Sequence, residues 1–167
     1  MLMITNKMHQ LRFSELMQVY EEGNLENGQA IYPCESKARQ VFLAEQDFYN
    51  YLTQIFFATP NAQYAVWLLD GHYASALRLE PYQDGLLLSA LETRPSVRRK
   101  GCAEELVKSV LAVLSEQGKI KVYSHVNKSN TASLNVHNKC GFRILQDYAV
   151  YADGSVMHNS YTLCKET

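Results

Sequence analysis

The stretch RPSVRRKGCAEELVKSVL, residues 94–111, gathers Arg94, Arg98, Arg99 and Lys100 ahead of a single glycine, Gly101, and then runs straight into an amphipathic pattern. Ala103, Leu106, Val107, Val110, Leu111 and Leu114 recur at the i, i+3, i+4, i+7 spacing of one buried helix face, and Gly118 supplies a stop. Glu104 and Glu105 fall in the first turn, where the macrodipole favours negative charge. Ahead of the basic residues, GLLLSALET reads as a strand. Residues 98–103 therefore occupy a strand-to-helix turn, which presents unpaired backbone N–H groups and a partial positive charge. That is a physical solution for holding a phosphate group. A glycine without Cβ lets such a backbone approach an oxyanion closely.

The two common nucleotide-binding patterns are absent. No pair of glycines has G-x-G spacing, and Gly118-Lys119 lacks the upstream glycine of a P-loop. The wider composition says the positive charge is local. The chain has 167 residues, 47% hydrophobic and 20% charged, with a net charge of -1. One domain with a sizeable core is expected over residues 1–167, and no global field would gather nucleic acid or an anionic membrane. Cys34, Cys102, Cys140 and Cys164 are scattered without a C-x-x-C pair, which fits a reducing, cytoplasmic setting better than a disulfide scaffold or zinc cluster. His9, His72, His125 and His158 lack metal-ligand spacing, so no metal site is expected. The N-terminal MLMITNKMHQ is too short in apolar residues for a signal-peptide core, and no run approaches the roughly 18 residues of a membrane span.

Outward from the opening stretch, the chain reads as mixed α/β. FSELMQVYEEG and ARQVFLAEQDFYNYLTQIFF carry apolar residues at helical spacing, giving two helices before Pro60, with Glu21 and Glu22 at the end of the first. QYAVWLLDGHYASALRLE forms two strands hinged on Asp70-Gly71, followed by GLLLSALET as a third. After the central helix come a strand in IKVYSHV, a short helix in NTASLNVHNKCG, and closing strands in FRILQDYAVY and MHNSYTLCK.

RRKGCA, residues 98–103, resembles the R/Q-x-x-G-x-G/A signature of the GNAT superfamily of acyl-coenzyme A dependent N-acetyltransferases. NTASLNVHNKCGF, residues 130–142, is similar to that family's second signature, with Asn130, Ser133, His137 and Gly141-Phe142 in the matching places. The two signatures stand in the family's order, separated by a helix and a strand. The resemblance implies a mostly antiparallel central sheet, splayed at the cofactor site and flanked by about four helices. It also implies acetyl-CoA as cofactor. The pantetheine arm would pair with backbone around Leu91, Glu92 and Thr93, and the pyrophosphate would rest on Arg98, Arg99, Lys100, Gly101, Cys102 and Ala103. Asn130, Ser133 and His137 would flank the thioester, with Asn130 also capping its helix.

His137 stands where the family usually has tyrosine, a general acid for the leaving thiolate. An imidazolium of pKa about 6.5 can serve as that acid, or the ring can simply pack and bond the backbone. Glu92 is the candidate base, with Glu80 behind it. An ordinary carboxylate near 4.3 would need a water relay or a burial-raised pKa, and Glu92 can equally be an ion-pair partner of Arg94 or Arg98. Cys102 sits at a helix N-terminus, where a thiolate is stabilised, but the family transfers the acyl group directly to the amine. Tyr20 and Tyr32 are candidates to line the acceptor pocket.

The leading expectation is an enzyme acetylating a primary amine on a small molecule or protein. A longer acyl donor, a coenzyme A-binding sensor without turnover and a nucleic-acid module using residues 94–100 are the rivals. The near-neutral charge weighs against the last. Neither the acceptor nor the oligomeric state has a sequence signal.

Overall fold

A computed structural model describes residues 1–167. Its centre is a seven-stranded sheet in the order β1-β2-β3-β4-β5-β9-β6, built from β1 (Leu2–Thr5), β2 (Gln63–Leu69), β3 (His72–Tyr82), β4 (Gly85–Thr93), β5 (Lys121–Asn127), β9 (Ser160–Glu166) and β6 (Arg143–Gln146). Two short strands, β7 (Ala149–Val150) and β8 (Val156–Met157), form a separate ribbon. Every neighbouring pair in the main sheet is antiparallel except β4 with β5. That parallel step needs a crossover, and α4 (Cys102–Glu116) provides it.

Strand alternation divides the core between the two faces. Ala65, Leu77, Leu79 and Leu88 meet Leu106, Val107, Val110 and Leu114 of α4, all buried. On the opposite face Tyr64, Val66, Tyr73 and Ala76 meet Leu16, Met17 and Val19 of α1 (Phe13–Val19) and Leu52 and Phe56 beyond α3 (Lys37–Tyr51). The apolar stripe read along the opening stretch is thus the α4 core face, and α5 (Thr131–Lys139) packs beside it.

The strands from residue 63 to residue 127 match the sequence reading closely, including the Asp70-Gly71 turn between β2 and β3. The N-terminal region differs. The first helix stops at Val19, and Tyr20 both ends it and starts α2 (Glu21–Ile31). Five α-helices therefore stand where about four were expected. Glu21 and Glu22 open a helix instead of closing one, so the macrodipole favours them. β1 was not read from the sequence either; it pairs with β2 as an edge strand.

β4 and β5 stay together only from Gly85↔Lys121 to Leu88↔Ser124. Beyond that point β4 remains bonded to β3 and β5 to β9, and the two strands part. A bulge accompanies the parting. Ala76 faces Glu92 whereas Arg78 faces Ser89, so β4 carries one extra residue, and Ala90 takes φ of 50°. Tyr20 donates its hydroxyl to the Ala90 carbonyl at 2.8 Å, tying the start of α2 to the bulge.

Gly85 anchors the paired end, because a Cβ there would lie 2.0 Å from the Lys121 carbonyl oxygen. Gly85→Ala should force the strands apart where they are meant to meet. The expected result is a loss of about 1–3 kcal/mol in denaturant unfolding; an unchanged midpoint would contradict this close approach.

Candidate active site

The turn after β4 is built from backbone. A 3-10 turn spans Pro95–Val97, Arg99 takes φ of 63° and Gly101 φ of 80°, and α4 begins at Cys102. The first helical bond runs from the Glu105 amide to the Gly101 carbonyl at 3.0 Å, so the amides of Cys102, Ala103 and Glu104 lie ahead of any intrahelical acceptor. Apart from its neighbours in the chain, nothing lies within 4 Å of where a Gly101 Cβ would be. The turn thus needs glycine for its left-handed backbone and leaves open space in front of free amides.

Arg99 and Lys100 are exposed around this turn, whereas Arg98 is engaged elsewhere. Its guanidinium pairs with Glu22 of α2 at 2.6 Å and donates to the Thr93 carbonyl at 3.3 Å. Arg94 donates to the Gln18 side chain. Neither arginine pairs with Glu92, contrary to one of the two sequence-level options for that residue. Cys102 is buried, and burial raises its thiol pKa, so the expected thiolate stabilisation is outweighed.

Where β4 and β5 part there is a cavity of about 160 Å³. Leu88, Ser89, Ala90 and Leu91 line one side, and residues 124–127 with Asn130, Ser133 and His137 the other. Asn130 caps α5 by accepting from the Ser133 amide at 3.0 Å. The structure thus brings together Leu91, Asn130, Ser133 and His137. Glu92 and Thr93 lie on the same strand but outside this lining. Ser75 uses its hydroxyl to bond the Glu92 carbonyl at 2.6 Å.

A larger cavity of about 470 Å³ opens between α2, α3 and the sheet. Tyr20, Asn24, Ala44, Phe48, Tyr51 and Arg78 are among its lining residues, with Asp47 and Ile31. Ala90 lines both cavities, so each of them reaches the β4 bulge. Tyr20 lines the larger cavity. Tyr32 does not, but its hydroxyl bonds the lining residue Asp47.

His137 differs from the imidazolium acid considered from sequence. The residue is 1% exposed, and burial lowers its pKa despite the opposing bond to the Ser133 carbonyl. That carbonyl lies 2.8 Å from Nδ1 and can only accept, so Nδ1 carries the proton and the neutral ring keeps a lone pair at Nε2. Nε2 is buried without a partner. Glu92 retains solvent access, yet the surrounding protein raises its carboxyl pKa by desolvation; Arg98 opposes the rise, and Glu22 and Glu26 add to it.

Beside Glu80, the second candidate base read from the sequence, the cavities hold side chains that no motif marked. Glu80 accepts from the Tyr51 and Ser89 hydroxyls, both at 3.4 Å, and so touches residues of both cavities. His125 lines the smaller cavity between the rings of Tyr82 and Tyr151, with both ring nitrogens buried and unpartnered. Arg78 reads in sequence as an ordinary strand arginine. The only available signal for these side chains was strand alternation, which puts Arg78 and Glu80 on one face.

Burial lowers the pKa of both His125 and His137. The unfolded chain, with histidines near 6.5, therefore binds protons that the folded chain refuses. Stability should be full above that value and fall as pH drops below about 6.5. The denaturant midpoint should be lower at pH 5.5 than at pH 7.5, and His125→Gln/His137→Gln should flatten the slope. An unchanged slope in the double variant would refute the assignment.

The sequence model described as "Acetyltransferase (GNAT) family" matches residues 25–142. No curated protein matches the chain. Among solved structures, the PaiA N-acetyltransferase of Thermoplasma acidophilum, in complex with coenzyme A, has a TM-score of 0.66 at 14% identity, covering 100% of this chain and 99% of that one. A GNAT family acetyltransferase from Streptococcus pneumoniae gives 0.62 at 16% identity, covering 100% of both chains. Another from Elizabethkingia anophelis, with acetyl-CoA bound, gives 0.54 at 15% identity over 70% of this chain and 82% of that one. At such identities these structures speak for the fold. The family match spans most of the chain, including both the turn before α4 and the helix that carries His137, and the chain belongs to the GNAT acetyltransferase family.

Proposed function

We propose that residues 1–167 form one N-acetyltransferase domain that moves an acetyl group from acetyl-CoA to a primary amine of a small molecule or protein. The observation that carries this reading is that two cavities share Ala90: one lies in the parted sheet between β4, β5 and α5, and the other is walled by α2 and α3. The donor enters from one side and the acceptor from the other. Coenzyme A bound to solved relatives supports the donor's identity. The four free cysteines suit a cytoplasmic setting, and no helix is long and apolar enough to cross a membrane.

The residues present fit the cofactor. Amides at residues 99–104 would hold the pyrophosphate, and the exposed Arg99 and Lys100 would meet further phosphate charge. The β4 edge from Ser89 to Thr93, freed from β5, would pair with the pantetheine amides. When bound, acetyl-CoA supplies the acetyl group already activated as a thioester. His137 offers a lone pair at a buried, unpartnered nitrogen, which suits an N–H or S–H donor. Glu92, with its raised pKa and solvent access, takes the amine's proton through water.

Calorimetric titration with acetyl-CoA should give micromolar binding that Gly101→Glu abolishes, since a carboxylate there repels phosphate and the residue is strained at φ of 80°. Absence of binding to the unaltered protein would end the acetyltransferase reading. Binding without turnover of any amine would instead favour a coenzyme A-binding sensor.

Glu92→Gln should lower kcat by about 100-fold and remove the acid limb of the pH profile. A loss of less than about threefold would move the base elsewhere, with Glu80 as the next carboxylate to test.

A further inference from the structure

Arg78 is the cation at the base of the larger cavity. It sits on β3 opposite Ser89, one residue from the bulge that both cavities reach. Its guanidinium carbon lies 5.0 Å from the Tyr51 ring centroid and 5.9 Å from that of Phe56. None of the protein's ion pairs includes it, and its Nε is buried without any partner.

The nearby carboxylates are already served by neutral donors. Glu80 accepts from Tyr51 and Ser89, and Asp47 accepts from Tyr32. Arg78 is half-buried and stacked on Tyr51 with no ion pair, which leaves its guanidinium to an anionic group that can pair with it. A planar guanidinium matches a carboxylate in bidentate geometry. A phosphate, with up to two charges, would face one cation and two acids, which favours the singly charged group.

From this juxtaposition we infer that Arg78 is an acceptor-binding residue, and that the acceptor is a small amine bearing a carboxylate near the nitrogen, of the amino-acid kind. The inference rests on the acetyltransferase reading and gives that site a substrate class. With the carboxylate on Arg78, the short step from Arg78 to Ala90 sets the amine at the bulge that both cavities reach. Glu92 on β4, whose carboxyl feels the charges of Glu22 and Glu26 on α2, suits the ammonium of such a zwitterion. The amine nitrogen forms its bond to the acetyl carbon as the carbon–sulfur bond breaks. The ammonium first loses one proton through water to Glu92; a second leaves the nitrogen after attack and one joins the departing sulfur, giving an N-acetyl amino acid and coenzyme A. A cavity of about 470 Å³ suits a ligand of this size.

The test is release of coenzyme A thiol from acetyl-CoA with the twenty protein amino acids and, in parallel, their carboxamides. At least one amino acid should be acetylated with kcat/KM about 30- to 100-fold above that of its carboxamide. Arg78→Gln should shrink that ratio to within about threefold by raising KM for the carboxylate, and Arg78→Lys should restore part of it. Equal use of both members of every pair, turnover of carboxamides alone, or an unchanged ratio in Arg78→Gln would each overturn the inference. So would a failure to acetylate any amino acid by protein that binds acetyl-CoA. Should Arg78→Gln not fold, the comparison of carboxylate with carboxamide on the unaltered protein still decides. If acetyl-CoA itself does not bind, the acetyltransferase reading fails separately. Calorimetry with the amino acids alone then tests the Arg78 subsite: binding that their carboxamides lack supports it, and no binding overturns it.

Discussion

The parting of β4 from β5 beyond Leu88 and Ser124 is the constraint on which the rest of the site depends. A parallel pair that separates midway leaves backbone donors and acceptors on both inner edges, which a sheet would ordinarily never expose together. Here the separation is held from outside. β3 and β9 keep their own bonds to the diverging strands, the extra residue at Ala90 bends β4, and Tyr20 fixes the bulge to α2. Tyr64 in turn donates to the Tyr20 hydroxyl at 2.8 Å, so the pin is itself anchored in the aromatic core. Burial holds the pKa of both phenols far above the usual range, which keeps them neutral donors.

The same bulge joins the two halves of the site. Its residue is shared by the cavity inside the parted sheet and by the cavity under the N-terminal helices. Of the helices that wall the larger cavity, α2 is linked to the turn before α4 by Glu22 and Arg98, although the carboxylate and guanidinium are both substantially exposed and contribute little to stability. Their use is positional: the pair sets α2 against the end of β4 while the turn's own cradle is made of amides.

Much of the donor side was legible in the sequence because its chemistry is local. Gly101, the basic residues around it and the apolar stripe of α4 are contiguous, and Asn130, Ser133 and His137 lie within one short helix. The acceptor side was not legible, for physical reasons. The sequence places one helix in FSELMQVYEEG, residues 13–23, and only packing on the sheet shows it to break at Tyr20 and a second helix to run on to Ile31. β1 offers four residues, LMIT, without polar alternation, and becomes a strand by pairing with β2. Arg78 acquires its meaning from Tyr51 and Phe56, which are far away in the chain. Of the two roles the sequence leaves open for His137, its burial and the Ser133 carbonyl fit the packed ring that bonds the backbone, and neither contact can be read from its place in a motif.

Hydrogen exchange of the backbone amides with and without acetyl-CoA tests the central claim most directly, since the account makes unpaired amides the cofactor's seat. It predicts slowed exchange at residues 89–93 and 99–104, with β1 and β2 unchanged. Protection confined to other elements, or none at all in protein saturated with acetyl-CoA, would contradict it.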